Sequence, residues 1–123
     1  MKQKIAIQGE LGSYSHLAVN EIYKNSEVIP CKTFDQALNF TKNNKDVNAV
    51  IPIENSIAGR VADVHYLLPK YKLKIIGESF HKVSHCLIIL KGNKLKNVKY
   101  VKSHSHAIGQ CHDKINKYKL MPI

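Results

Sequence analysis

The sequence predicts an α/β fold, and three observations predict it. Short apolar runs at Lys4-Ile5-Ala6-Ile7, at Ala49-Val50-Ile51 and over residues 98–101 have the length of buried strands. Stretches with helical spacing of apolar residues lie between them, and hydroxyl residues stand where several of those stretches begin. Short buried strands alternating with helices are the signature of βαβ units around a largely parallel sheet.

In chain order, the run from Ile5 to Ile7 is a buried strand stopped by Gly9 and Gly12. Ser15 is placed to cap a helix carrying Leu17, Ala18, Ile22 and Tyr23 on one buried face. Val28-Ile29 before Pro30 marks a second strand. Thr33, with Gln36 three residues later, forms a capping box that opens a helix through Ala37, Leu38 and Phe40, ending near Asn43-Asn44. Residues 49–51 form the third strand, closed by Pro52. Residues 59–68 form the next helix, with Val61, Val64, Leu67 and Leu68 on one face and Pro69 as its stop. Residues 73–76 and 83–90 read as extended, and a turn follows at Gly92-Asn93. Residues 98–101 are a strand, after which Ser103 caps a last helix through Ala107, Ile108, Cys111 and Ile115.

Composition narrows the function classes. A chain of 123 residues is one domain's worth and buries roughly two-thirds of its unfolded surface. A hydrophobic share of 44% argues against disorder. No apolar run nears the roughly 20 residues that span a bilayer, so no membrane partner is expected. Cys31, Cys86 and Cys111 are an odd set without close spacing, which speaks against a disulfide framework and for a cytoplasmic, reducing setting. The net charge of +10 would suit nucleic acid, but Arg60 is the sole arginine among 19 basic residues. The lysines are scattered, without interleaved aromatics, so no nucleic-acid partner is expected; such a surface attracts small anions.

The residues that could carry chemistry are few. Ser15, Ser56 and Ser103 each stand at the expected start of a helix shortly after a strand. Ligands of open α/β sheets settle at the carboxyl ends of strands, where helix N-termini present free N–H groups. Three such termini would hold an anion with more than one negative group, although a lone serine is simply a common cap. His104, His106, Cys111 and His112 do not share one helical face, and His81 and His85 lie far apart along a strand, so no metal site is expected. Ser15-His16 and Ser103-His104 are helix neighbours that do not face each other as nucleophile and base. Pro52-Ile53-Glu54-Asn55-Ser56 is more specific. It sets a carboxylate, an amide and a hydroxyl in succession at a strand-to-helix junction, where the amide both donates and accepts. The plain alternative is a polar turn.

Gly12-Ser13-Tyr14-Ser15-His16, then Pro52-Ile53-Glu54-Asn55-Ser56 with Gly59, then Ile76-Gly77-Glu78, His85-Cys86-Leu87, and Ser103-His104 with Gln110-Cys111 occur in this order along the chain. In that order and spacing the sequence resembles prephenate dehydratases, from Ile5 to about Tyr118. The resemblance implies a lyase converting prephenate to phenylpyruvate with loss of CO2 and water in L-phenylalanine biosynthesis, without a cofactor. It implies a fold like type II periplasmic binding proteins, with the substrate in the cleft between two α/β lobes. Residues 1–76 would be the first lobe, and residues 77–123 the crossover and an incomplete second lobe. It further implies Asn55, Ser56, Ser103 and Gln110 as substrate-binding residues for a dianion, with Ser13 and Ser15 as weaker candidates, and a homo-oligomer in the full-length form.

Two departures from the family pattern bear on activity. Ser105-His106 stand where the family has Pro-Gln. The Thr-Arg-Phe motif, whose threonine is the expected catalytic residue, does not occur and is expected beyond Ile123, so no catalytic residue is assigned and the chain alone is expected to be inactive or weakly active. The alternative from another class is a non-catalytic anion-binding or regulatory module built from the dehydratase lobe.

Overall fold

Ile5, Ala6 and Ile7 are fully buried in succession. A strand with one face in water would alternate, so both faces of this one are covered. In the computed structural model, which describes residues 2–57 and 59–123, it is β1 (Gln3–Gln8). It lies between β2 (Ser26–Cys31) and β3 (Val47–Ala49), both parallel to it, with Ile5 opposite Val28 and Asn48. Two helices follow from the connections, α1 (Tyr14–Ile22) and α2 (Phe34–Asn43). The strand period of two divides the core: Ile5 and Ile7 pack with Val19 of α1, and Ala6 packs with Ala37 of α2 and Val47. Pro30 sits within β2, which is tolerated because β2 is an edge strand.

The caps differ from the sequence expectation at α1. Gly12, at φ +89°, turns the chain so that Ser13 becomes the cap, its hydroxyl accepting the His16 N–H at 3.4 Å, and Ser15 falls inside the first turn. At α2, Thr33 caps as expected, accepting the Gln36 N–H at 3.1 Å, while the Gln36 carbonyl oxygen accepts the Lys32 N–H at 3.1 Å. The third strand lies two residues earlier than residues 49–51, because Val47 is the residue buried beside Ala6 and Ala37; Val50 still donates its N–H to the Ala6 carbonyl at 3.0 Å.

The larger correction concerns residues 54–72. No helix begins at Gly59 or at Ser56. Glu54–Asn55 (β4) and Gly59–Arg60 (β5) pair antiparallel instead, and Gly59 at φ +84° holds a left-handed conformation that a right-handed helix excludes. The helix α3 then runs Ala62–Tyr71 with Val61 at its cap and Val64 and Leu67 buried. Pro69 lies inside α3 rather than stopping it. The end comes at Lys72, which adopts φ 54° and donates to the Leu68 and Pro69 carbonyls.

Residues 73–76 and 83–90 pair with no strand among the described residues, and Ile75, Ile76, Phe80, Ile88 and Leu90 are exposed. Apolar content gives a segment the propensity for a strand, but a strand also needs a ladder partner for its N–H and C=O groups. The chain divides into two compact units, Met1–Lys82 and Val83–Ile123; the sequence reading places the division after Ile76.

In the second unit a turn at Gly92 (φ +91°) is closed by the Asn93 N–H to the Leu90 carbonyl at 3.1 Å. β6 (Tyr100–Val101) pairs in parallel with β7 (Met121–Pro122). The expected last helix is two helices, α4 (Ser105–Gln110) and α5 (His112–Lys117), broken at Cys111 just after Gly109, a weak helix former. Ile115 of α5 and Leu120 beyond its end are buried. The cap of α4 is not Ser103 but His104, whose Nδ1 accepts the His106 N–H at 3.2 Å.

Candidate functional site

Because β1 and β3 are parallel, the connections that follow them leave from the same edge of the sheet. The first carries Gly9, Gly12, Ser13 and Ser15, and the second carries residues 52–60. The sequence-predicted residues of the first unit all lie on these two connections. They are not a set of serine-capped helix termini: Ser13 caps α1, Ser15 lies half-buried within it, and Ser56 lies exposed in the turn of the β4–β5 hairpin.

Asn55 is held by the turn itself. Its side-chain carbonyl oxygen accepts the Ile57 N–H at 2.9 Å, an Asx-type turn that fixes the plane of the amide. The base of the hairpin is pinned at the Ile53 carbonyl, which accepts from the Val61 N–H at 3.0 Å and from Nε2 of His65 at 3.3 Å. Glu54 and Arg60 stand directly opposite across the two strands, a favourable pairing of charges. The polar-turn reading of this segment is therefore structurally correct, and the turn gives Asn55 a defined orientation. His16 has a similarly local task, its Nδ1 accepting the Gly12 N–H at 2.7 Å.

A cleft of about 420 Å³ opens elsewhere in the same unit, among Gln8, Thr33, Phe34, Asp63, Tyr66 and Leu67. It contains none of the sequence-predicted residues. Asp35, which also lines it, joins α2 to the end of α3: its carboxylate accepts the Tyr71 hydroxyl at 2.7 Å and lies 3.4 Å from the Lys70 ammonium. The Tyr71 hydrogen bond, with the Lys70 charge, holds the Asp35 carboxyl below its usual range. Reciprocally, the Asp35 charge raises Lys70, and the hydrogen bond to Asp35 raises Tyr71. Sequence reasoning missed this group, since nothing local couples positions 35 and 71.

In the second unit Ser103 lies exposed one residue before the His104 cap, and Gln110 is the half-buried last residue of α4. The Gln110 side-chain carbonyl oxygen lies 2.6 Å from Nε2 of His85. The rings of His104 and His106 meet edge to face with centroids 5.0 Å apart. Among the described residues, no three of His, Cys, Asp and Glu gather in a way that would hold a metal ion. The histidines have particular neighbours instead: His81 places Nδ1 2.9 Å from a Glu21 carboxylate oxygen and its ring 5.7 Å from that of Tyr14.

Comparison with known proteins covers nearly the whole chain. The family model for prephenate dehydratase matches residues 5–123. Arogenate dehydratase 2 of Petunia hybrida is 36% identical over 118 residues, covering 96% of this chain and 30% of that protein. A bifunctional N-acyl-homoserine lactone acylase/prephenate dehydratase of Komagataeibacter europaeus is 37% identical over 119 residues, covering 97% of this chain and 42% of that protein. A solved structure described as GqqA, a novel type of quorum quenching acylase, superimposes with a TM-score of 0.78 at 37% identity, covering 98% of this chain and 44% of that one. The chain thus spans less than half the length of each of these proteins.

Proposed function

Since the chain belongs to the prephenate dehydratase family, we propose that these 123 residues bind prephenate for its conversion to phenylpyruvate in the making of phenylalanine. Asn55, Ser56, Ser103 and Gln110 are the substrate-binding groups, with Ser13 and Ser15 beside the first pair in sequence role. The observation that carries the reading is the family match, which runs through every one of these positions. In this reading residues 1–76 are the first lobe of a fold like type II periplasmic binding proteins, and residues 77–123 are the crossover and a partial second lobe. A cytoplasmic, reducing setting belongs to the same proposal.

The chemistry suits these residue types. Prephenate carries one carboxylate on its ring and one on its pyruvyl side chain. The ring carboxylate leaves as CO2, its bonding pair enters the ring, and the hydroxyl across the ring departs with a proton as water. Aromatisation drives the step, so the protein's task is to hold the dianion in a reactive pose. A fixed cation against the departing carboxylate would stabilise a charge that must disappear, whereas amides and hydroxyls orient it without that penalty. Arogenate, which appears in the names of several relatives, has an ammonium group where prephenate has a keto oxygen. The net charge of +10 favours the more anionic prephenate.

A second reading, acyl-homoserine lactone hydrolysis, draws on the descriptions of the Komagataeibacter relative and the solved structure. It needs a base beside a nucleophile; at Ser15-His16 and Ser103-His104 the ring does not serve that role, because Nδ1 of His16 accepts the Gly12 N–H and Nδ1 of His104 accepts the His106 N–H. The test is calorimetric titration of the purified chain with prephenate and arogenate, with phenylpyruvate absorbance and acyl release from an N-acyl-homoserine lactone followed in parallel. The expected result is saturable prephenate binding, weaker arogenate binding, little phenylpyruvate because these residues lack Thr-Arg-Phe, and no acyl release. Absence of prephenate binding together with acyl release would overturn the proposal in favour of the second reading.

A further inference from the structure

His85 is five residues before the turn at Leu90, in a segment that makes no strand ladder, and Gln110 ends α4. They are 25 residues apart in sequence, yet their side chains meet at 2.6 Å between Nε2 and Oε1. Two motif pieces that stand separately in the sequence, His85-Cys86-Leu87 and Gln110-Cys111, are therefore one structural pair. From this contact we infer that His85 is a positioning residue for Gln110: it sets which end of the amide a ligand meets. The inference rests on the reading of Gln110 as a prephenate-binding residue.

An unrestrained glutamine amide presents either its carbonyl oxygen or its NH2 group, two ends with opposite hydrogen-bonding character. An anion needs the NH2 end. The carbonyl oxygen of Gln110 only accepts, so the hydrogen bond to His85 requires the imidazole proton on Nε2. With the oxygen held there, the NH2 group faces away from His85 as a pair of donors. The carbonyl is thus kept from an incoming carboxylate, which it would repel, and the amide is ordered before binding rather than during it. A neutral hydrogen bond at an exposed site adds little to fold stability. Orienting a binding group is the larger consequence of this one.

The inference makes His85 variants diverge by chemistry rather than by size. His85→Ala frees the amide to rotate. His85→Lys presents only N–H donors, so it still holds the oxygen end of the Gln110 amide. His85→Glu offers only an acceptor, so it binds the NH2 end of Gln110 and turns the carbonyl toward the ligand.

The test uses the whole 123-residue chain and prephenate as the titrant in calorimetry. Gln110→Ala is expected to weaken binding about tenfold, the effect of one hydrogen bond to a charged group. His85→Ala should weaken it several-fold, His85→Lys should bind no more weakly than the unmodified chain, and His85→Glu should bind at least as weakly as Gln110→Ala. In the Gln110→Ala background, His85→Ala should cost nothing further, because its route of action is gone. Nitrogen NMR of the ligand-free chain at about pH 8, above the ordinary imidazole range, should find the His85 proton on Nε2. A proton on Nδ1, or His85→Ala binding prephenate as the unmodified chain does, overturns the role of His85 alone. Failure of the unmodified chain to bind prephenate overturns both this role and the proposed function.

Discussion

Asp35 and Tyr71 give a residue-scale prediction that needs no ligand. The Tyr71 hydroxyl and the Lys70 ammonium favour the ionised carboxylate, so the folded-state pKa of Asp35 lies below its unfolded value. Stabilisation from this group is complete above the unfolded carboxyl pKa of about 3.9 and is lost as the pH falls through the lower folded value. Tyr71→Phe removes the larger cause. Carboxyl-carbon NMR should then find Asp35 titrating nearer the ordinary range, and the difference in Tm between the two proteins should shrink in acid; an unchanged Asp35 titration would show that Tyr71 does not govern it. Among site residues, Asn55→Ala should weaken prephenate binding clearly by calorimetry while His112→Ala stays close to neutral, and equal behaviour would return residues 52–56 to the status of a plain turn. What the sequence made legible at this scale was chemical type. Asn55 stood out because an amide beside a carboxylate and a hydroxyl is unusual. Pairings such as His85 with Gln110 did not stand out, because only the fold brings them together.

At the scale of elements, legibility followed the range of the interaction that decides each one. The capping box at Thr33 is local, and its helix ended where the sequence indicated. Thr33→Ala should cost about 1 kcal/mol in chemical denaturation, the usual worth of such a cap; no change would mean that α2 is held by packing alone. The helix expected from Gly59 failed for a local reason of another kind. Apolar periodicity in residues 61–68 is real, but it belongs to a helix that starts at Ala62, and Gly59 serves the hairpin before it. Gly59→Ala at φ +84° should therefore destabilise the chain, by about 1–3 kcal/mol, and perturb the Asn55 turn. If it is tolerated in a denaturation curve, the hairpin geometry is not required. Residues 73–76 and 83–90, read as extended, enter no ladder among the described residues, because strand pairing depends on a distant partner that no local pattern encodes.

For the whole molecule, the α/β class and the order of the first three strands and two helices were readable, because alternation of buried strands with amphipathic helices is written along the chain. Ile115 is buried, whereas Phe80, Ile88 and Leu90 are exposed in the ladder-free segment. Exposed large apolar side chains favour association, so sedimentation should show concentration-dependent self-association that Ile88→Lys reduces; a monomer at all concentrations would contradict this. The central claim is that the chain holds the prephenate dianion through neutral donors on its two sets of motif residues. The measurement that tests it most directly is a prephenate titration followed through the side-chain amide NH2 signals in nitrogen–proton NMR. The account predicts that the Asn55 and Gln110 signals move together and saturate at one affinity, while those of Asn43 and Asn116 stay fixed. Movement at Gln8 in the cleft beside α2, with Asn55 and Gln110 unchanged, would contradict it.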